Sequence, residues 1–274
     1  MNCTHPFRTK AELLVPCGQC MACRIARTAE WSLRIQHELK GKDGCFITLT
    51  YENMPPNGSL VKEDLVKFMK RLRKRLNLPI KFYACGEYGE INERPHYHLI
   101  IIGWNPDDLV SPTNNGKNVS PFLYKVWPEG FNSVGSITPK SVAYVCGYVR
   151  KKLTGQMAKE KYGDRIPPFS LMSKGLGKEY VIQNAQRLND KGYVTVRGSK
   201  VPIPRYYKEY LKKTMEDYKE KAMERGEILN QKSKELHKVK DLDSYVDYVR
   251  LQWSDRRRRK AELDAKEKRP RGSL

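Results

Sequence analysis

Arg94-Pro95-His96-Tyr97-His98 runs directly into Leu99-Ile100-Ile101-Ile102, and this stretch does more than any other to limit what the chain can fold into. Successive side chains of a strand alternate between faces, so His96, His98 and Ile100 point one way while Tyr97, Leu99 and Ile101 point the other. The chain must therefore build a sheet on one face of which two imidazoles stand side by side. That spacing suits two ligands of one divalent ion, because neutral imidazole is the commonest nitrogen donor to metals in proteins. A pair of half-buried strand histidines is the competing reading, and the rest of the sequence decides between them.

A second pattern lies downstream, in Ser141-Val142-Ala143-Tyr144-Val145-Cys146-Gly147-Tyr148-Val149-Arg150-Lys151-Lys152-Leu153. Read at about 100° per residue, Val142, Val145, Cys146, Val149 and Leu153 form the apolar stripe of an amphipathic helix. Tyr144 and Tyr148, four apart, are expected to stand together off that stripe, with Lys151 on their side. A phenol is a poor nucleophile at neutral pH, its pKa being near 10, and an adjacent lysine favours the phenolate. A divalent ion held by two histidines and a carboxylate can polarise a phosphodiester oxygen, so the two patterns together point to phosphoryl transfer. The carboxylate is sought in Phe82-Tyr83-Ala84-Cys85-Gly86-Glu87-Tyr88-Gly89-Glu90, where an apolar strand ends in a glycine-flanked turn. Glu87 is favoured over Glu90, because a neighbouring strand end can place it beside His96.

With the residues in view, His96-Tyr97-His98 and the paired Tyr144 and Tyr148 resemble the HUH endonuclease superfamily (histidine, hydrophobic residue, histidine), in its two-tyrosine rolling-circle branch. Five segments agree, in order, with the replication initiators of gokushoviruses, which are small single-stranded DNA phages of the Microviridae. They are Pro16-Cys17-Gly18-Gln19-Cys20-Met21-Ala22-Cys23-Arg24, Phe46-Ile47-Thr48-Leu49-Thr50-Tyr51, Gly86-Glu87-Tyr88-Gly89, Arg94-Pro95-His96-Tyr97-His98, and Phe169-Ser170-Leu171-Met172-Ser173-Lys174-Gly175-Leu176-Gly177. The resemblance spans residues 1–205. It implies a nickase of a circular replicative form acting in the cytoplasm of the bacterial host. One tyrosine becomes linked to the 5′ phosphate and a 3′ hydroxyl is left for a polymerase; the second tyrosine later cuts the regenerated origin, and the strand ends are joined. It also implies a five-stranded antiparallel sheet related to the RNA-recognition fold, and host helicase and DNA polymerase as partners. The sequence holds no Gly-x-x-x-x-Gly-Lys-Ser/Thr loop, so unwinding would fall to such a helicase.

The charge balance agrees with a polyanionic partner: 52 Lys and Arg against 31 Asp and Glu give a net +21. Lys67, Lys70, Arg71, Arg73, Lys74 and Arg75 lie on the outer face of a helix whose inner face is Leu65, Phe68, Met69, Leu72 and Leu76, and these cations, with Arg150 and Lys152, are the DNA-binding candidates. No apolar stretch approaches the length of a membrane span, and no signal peptide is visible. Cys17-x-x-Cys20-x-x-Cys23 is tight enough for several thiolates to close on one metal, with Cys3, or alternatively His5, as fourth ligand. Zinc is expected there, and an iron–sulfur cluster is the second choice. Mg²⁺ or Mn²⁺ is expected at the histidines. Cys45, Cys85 and Cys146 sit in apolar contexts and read as core.

The fold expected is α+β. A helix over 24–40, strands over 45–51, 80–85 and 96–103, helices over 61–76, 140–153 and 178–189, and a hairpin over 193–203 would give a central antiparallel sheet of about five strands with flanking helices, the histidine face left clear of them. Residues 104–137 read as a long connection. Three segments follow: a cysteine-rich N-terminal segment and helix over 1–40, the HUH domain over 41–205, and a charged helical extension over 206–274 whose end, from about Asp255, is basic and disordered. Two alternatives stay open, a transposase or relaxase of the same chemistry and a non-catalytic zinc-containing nucleic-acid-binding module. The tyrosine pair argues against both.

Overall fold

A computed structural model describes residues 3–10, 14–111, 118–148 and 155–236, together with positions 258 and 261. The chain divides into two compact units, residues 28–178 and residues 1–27 with 179–274. In chain order the elements are β1 (Phe7–Arg8), β2 (Leu14–Val15), α1 (Met21–Leu39), β3 (Gly44–Tyr51), α2 (Lys62–Leu76), β4 (Lys81–Tyr88), β5 (Pro95–Ile102), α3 (Pro121–Val126), β6 (Gly130–Ser136), α4 (Pro139–Gly147), α5 (Gln156–Tyr162), β7 (Phe169–Met172), α6 (Lys178–Gln183), α7 (Ala185–Lys191), β8 (Tyr193–Val196), β9 (Ser199–Pro202), α8 (Arg205–Thr214) and α9 (Tyr218–Leu236).

The 28–178 unit is built on an antiparallel five-stranded sheet in the order β6-β3-β5-β4-β7, as expected. The histidine strand β5 is the middle strand. Its period-two pattern divides the core in two. Tyr97, Leu99 and Ile101 join Ile47, Leu49 and Ala84 beneath Leu65, Phe68, Met69 and Leu72 of α2 and Leu123 and Val126 of α3. Ile100 and Ile102 join Tyr83 and Cys85 on the opposite face, against Ile35 of α1 and Val142, Val145 and Cys146 of α4. Helices therefore cover both faces, and the expectation of a clear histidine face is corrected. Ile100 and Ile102 extend that face beyond the histidines, and two more apolar side chains in water would each cost about 2 kcal/mol. Only the end of the face that carries His96 and His98 lacks this apolar cover.

Two strands lie where no strand signal was legible. The 104–137 connection contains α3 and the edge strand β6, whose Gly130, Asn132, Ser133, Gly135 and Ser136 have low strand propensity. Pairing with β3 and burial of Asn132 and Val134 override that preference. The second unrecognised strand, β7, follows Pro167 and Pro168 and pairs with β4. The helix expected over 178–189 is interrupted at Asn184, which leaves helical geometry at φ −117° and ψ 15° and starts α7.

In the other unit, β8 and β9 form the expected hairpin, and Val181, Leu188, Val194, Ile203, Tyr207, Leu211 and Tyr218 are buried. The segment after residue 205 is thus more than a solvated appendage: α8 turns Tyr207 and Leu211 inward, while α9 exposes Met223 and Leu229. The tail expected to be disordered falls almost wholly outside the described residues. Among the described residues no helix is long and apolar enough to cross a membrane.

Candidate active site and metal centres

Strand pairing assembles the first group. Glu87 lies inside β4, directly opposite His96 of β5, so side chains from adjacent strands project from the same face. The strand therefore runs on through Glu87 where the sequence suggested a turn; Glu90 lies in the turn that follows. His96 Nε2 is 2.9 Å and His98 Nε2 3.4 Å from Glu87 Oε1. One ligand atom from each of the three residues lies within 4.8 Å of the others. Glu87 and His98 are buried, and His96 is partly so.

The far side of each imidazole is held by the backbone or a hydroxyl. His96 Nδ1 is 3.0 Å from the Arg94 carbonyl, which can only accept, so Nδ1 carries the proton and Nε2 faces Glu87 with its lone pair. His98 Nδ1 is 3.0 Å from Thr48 Oγ1, on the β3 residue paired with it. Burial alone would raise the Glu87 carboxyl, but hydrogen bonds from His96, His98 and Tyr148 bring it down to about 2. Two imidazoles and an ionised carboxylate make a donor set that a hard or borderline divalent ion accepts.

The tyrosines reach this group from α4. Thr138 caps the helix with its side chain on the Ser141 amide, the Ser141 hydroxyl bonds back to Thr138, and Pro139 opens the first turn. Thr28 of α1 donates to the Cys146 carbonyl at 3.3 Å, fixing the other end. Tyr148 follows the last helical residue and stacks on His98, ring centroids 5.4 Å apart and planes 9° from parallel. Tyr144 meets His98 edge-on at 5.4 Å and Tyr148 at 4.9 Å.

The expectation that both rings stand off the core holds for Tyr144, which is 51% exposed, and fails for Tyr148, which is buried with the apolar cluster. The imidazole gives Tyr148 a flat polar partner within the sheet face, so burial does not require an aliphatic position. Burial, the bond with Tyr144 and the Glu87 charge all raise the Tyr148 phenol above its ordinary value. Phe46 lies on His98 as well, at 5.6 Å and 16°. Phe46 and Thr48 were missed as site residues. The alternation of Phe46, Thr48 and Thr50 along β3 was the available signal, but the partner strand had to be known before it could be used.

Lys151, Arg150 and Lys152 lie outside the described residues. Of the α2 cations, Arg71 pairs with Glu129 at 3.0 Å and donates to the Val126 carbonyl, and Arg73 donates to the Ile80 carbonyl and Ser173 and lies over Phe82. Lys67, Lys70, Lys74 and Arg75 are exposed. The helix packs on the sheet face opposite the histidines, so these cations cannot meet the same phosphate as His96 and His98.

The second group is Cys3, Cys17, Cys20 and Cys23, whose sulfurs all lie within 4.8 Å of one another. Cys3 Sγ is 3.5 Å from Cys17 Sγ and 3.8 Å from Cys20 Sγ, and Cys3 and Cys20 both lie beside backbone that positions them. His5 is not among the four; its Nδ1 meets Thr4 Oγ1 at 3.0 Å.

The comparisons bear on what these groups serve. The replication-associated protein family that takes its description from ORF2 matches residues 44–153, a range that opens with β3 and contains the histidines, Glu87 and both tyrosines. Replication-associated protein VP4 of Bdellovibrio phage phiMH2K is 32% identical over 259 residues, covering 87% of this chain and 81% of its own length. The chain belongs to the family of phage replication-associated proteins. Replication-associated protein ORF2 of Spiroplasma virus 4 is 30% identical over 257 residues, covering 86% of this chain and 80% of its own. Replication-associated protein ORF4 of Chlamydia phage 1 is 25% identical over 250 residues, covering 86% of this chain and 63% of its own. The expected kinship with the replication initiators of small DNA phages is borne out. No solved structure matches this replication-associated protein.

Proposed function

We propose that this protein initiates rolling-circle replication by nicking one strand of a circular replicative form through a tyrosine. The observation that carries this reading is the convergence of Glu87, His96 and His98 beneath the rings of Tyr144 and Tyr148. Mg²⁺ or Mn²⁺ bound by the three ligands would polarise a phosphodiester oxygen and offset the charge that develops on it. Tyr144, the exposed phenol, attacks first: its oxygen bonds to phosphorus as the bond to the 3′ oxygen breaks, and the phenolic proton ends on the new 3′ hydroxyl. A ring that carries the 5′ phosphate cannot attack again. Tyr148, in contact with Tyr144, supplies the second phenol for strand transfer and joining. Lys151 is assigned the role of steadying a phenolate or leaving oxygen. Host helicase and polymerase complete the cycle, and the reaction takes place in the cytoplasm of the phage's bacterial host.

The test is a supercoiled plasmid carrying the cognate origin, incubated with and without Mn²⁺, followed by mass spectrometry of the covalent adduct. A metal-dependent adduct on Tyr144 or Tyr148, absent from the Tyr144→Phe, Tyr148→Phe double variant, is expected. Nicking in EDTA by a His96→Ala, His98→Ala double variant, or an adduct on any other residue, overturns the reading.

The cysteines are assigned to a separate structural zinc that staples the N-terminal segment. Thiolates at about 2.3 Å from a tetrahedral zinc stand about 3.8 Å apart, against 3.5 and 3.8 Å measured between sulfurs here. An iron–sulfur cubane attaches each thiolate to a different iron and spreads the sulfurs well beyond that, which favours a single ion.

A further inference from the structure

The row that carries Glu87 and His96 does not stop at β5. His96 pairs with Thr50 of β3, and Thr50 with Phe131 of β6, so Phe131, Thr50, His96 and Glu87 form one line across the same face. Phe131 is 50% exposed, whereas its neighbours Asn132 and Val134 turn to the other face and are buried. Its place is fixed by the backbone. A Cβ on Gly130 would collide with the Glu52 amide and the Thr50 carbonyl, so only glycine lets β6 approach β3 this closely. Arg94, two residues before His96, donates to the carbonyls of Tyr51 and Glu52 at the same corner.

We propose that Phe131 is a stacking platform for a base of the single strand whose phosphate lies at His96 and His98. This rests on the nickase reading and adds a subsite to it. Two strand spacings separate Phe131 from His96, about 10 Å, which one or two nucleotides of an extended strand can span. Single-stranded nucleic acid is held by a cationic protein through its phosphates and by exposed aromatic rings through its bases, and a chain of net charge +21 supplies the first term. An isolated exposed Phe elsewhere would need no explanation. Here the ring is continuous with the ligand row and its strand is pinned by an obligatory glycine.

The experiment measures binding alone, in EDTA, with a fluorescein-labelled oligo-dT and an abasic strand of equal length. Phe131→Ala should weaken oligo-dT binding about ten-fold, the loss of one base–aromatic stack, and leave the abasic strand unaffected. Phe131→Leu, which keeps apolar bulk and hence folding, should match Phe131→Ala, and Phe131→Trp should retain affinity and show quenching on binding. Equal oligo-dT affinity in wild type and Phe131→Leu, or equal losses on both strands, overturns the platform. Because no cleavage is read, absence of a tyrosine adduct in the plasmid assay would overturn the nickase without deciding the platform.

Discussion

Between Phe46 and Tyr148 the His98 ring is gripped on both faces, and Thr48 Oγ1 holds its Nδ1 edge at 3.0 Å. Rotation about its side chain would break all three contacts, so Nε2 is kept towards Glu87. Partners of this kind orient a metal-binding histidine, and their loss typically costs ten- to a hundred-fold in affinity, about 1.4–2.7 kcal/mol. Thr48→Val, which keeps the shape and deletes the hydroxyl, should therefore raise the Mn²⁺ concentration needed for half-maximal nicking about ten-fold, with the rate at saturating Mn²⁺ nearly restored. An unchanged metal requirement would show that stacking alone orients the ring. At this scale the sequence revealed the ligands through their spacing. It could not reveal that Tyr148 would lie flat on His98, because that depends on where α4 ends against the sheet.

Elements with strong internal signals were legible: the strand carrying His96 and His98, and α2 with its apolar stripe of Leu65, Phe68, Met69 and Leu72. The strand β6 was not, since its glycines and short polar residues take strand form only through pairing with β3. How α1 joins the sheet was equally hidden. Its Glu38 is buried and receives Lys42 and Lys81 at 2.8 Å each and the Gly177 amide at 2.7 Å. Burial alone would raise the Glu38 carboxyl, but these three partners hold it below its ordinary value. Both lysine side chains remain 35% and 33% exposed, so Glu38→Gln should cost nearer 2 than 5 kcal/mol, about the low end for breaking a buried pair. The folded carboxyl being lower than the unfolded one, the wild-type advantage is full above an unfolded value of about 4.3 and disappears as pH falls through the folded value. Chemical denaturation of both proteins at neutral and acid pH measures it; an advantage that persists in acid would contradict the ion-pair account.

For the molecule as a whole, the two ligand groups fall in separate compact units and ask for different metals. Thiolates select a soft ion and the histidine–carboxylate set a harder one, so one chelator should not empty both at the same rate. The protein as isolated should hold about one zinc per chain through its four cysteines. Removing it with a strong chelator, or making Cys20→Ser, should lower the melting temperature by several degrees while Mn²⁺-dependent nicking by the surviving folded fraction is retained. Isolated protein without tightly bound metal, or with the visible absorption of an iron–sulfur cluster, would overturn that assignment. The fourth cysteine, Cys3, illustrates what sequence alone could not settle: only the chain path that brings it beside Cys17 separates it from His5 as a candidate.

The middle position of β5 also gives the two halves of the site different lifetimes. The histidines ride on a strand hydrogen-bonded on both sides, and each of its neighbours has a further strand beyond it. Amide protons in such a ladder exchange with solvent only when the whole sheet opens. The tyrosines ride at the end of a nine-residue helix, and so short a helix leaves most of its terminal amides and carbonyls outside its own ladder. In deuterated solvent, amides of 96–102 should remain protected long after those of 142–147 have exchanged. Under mild denaturant the molecule should accordingly pass through a state that still grips its ion but no longer presents a nucleophile to DNA.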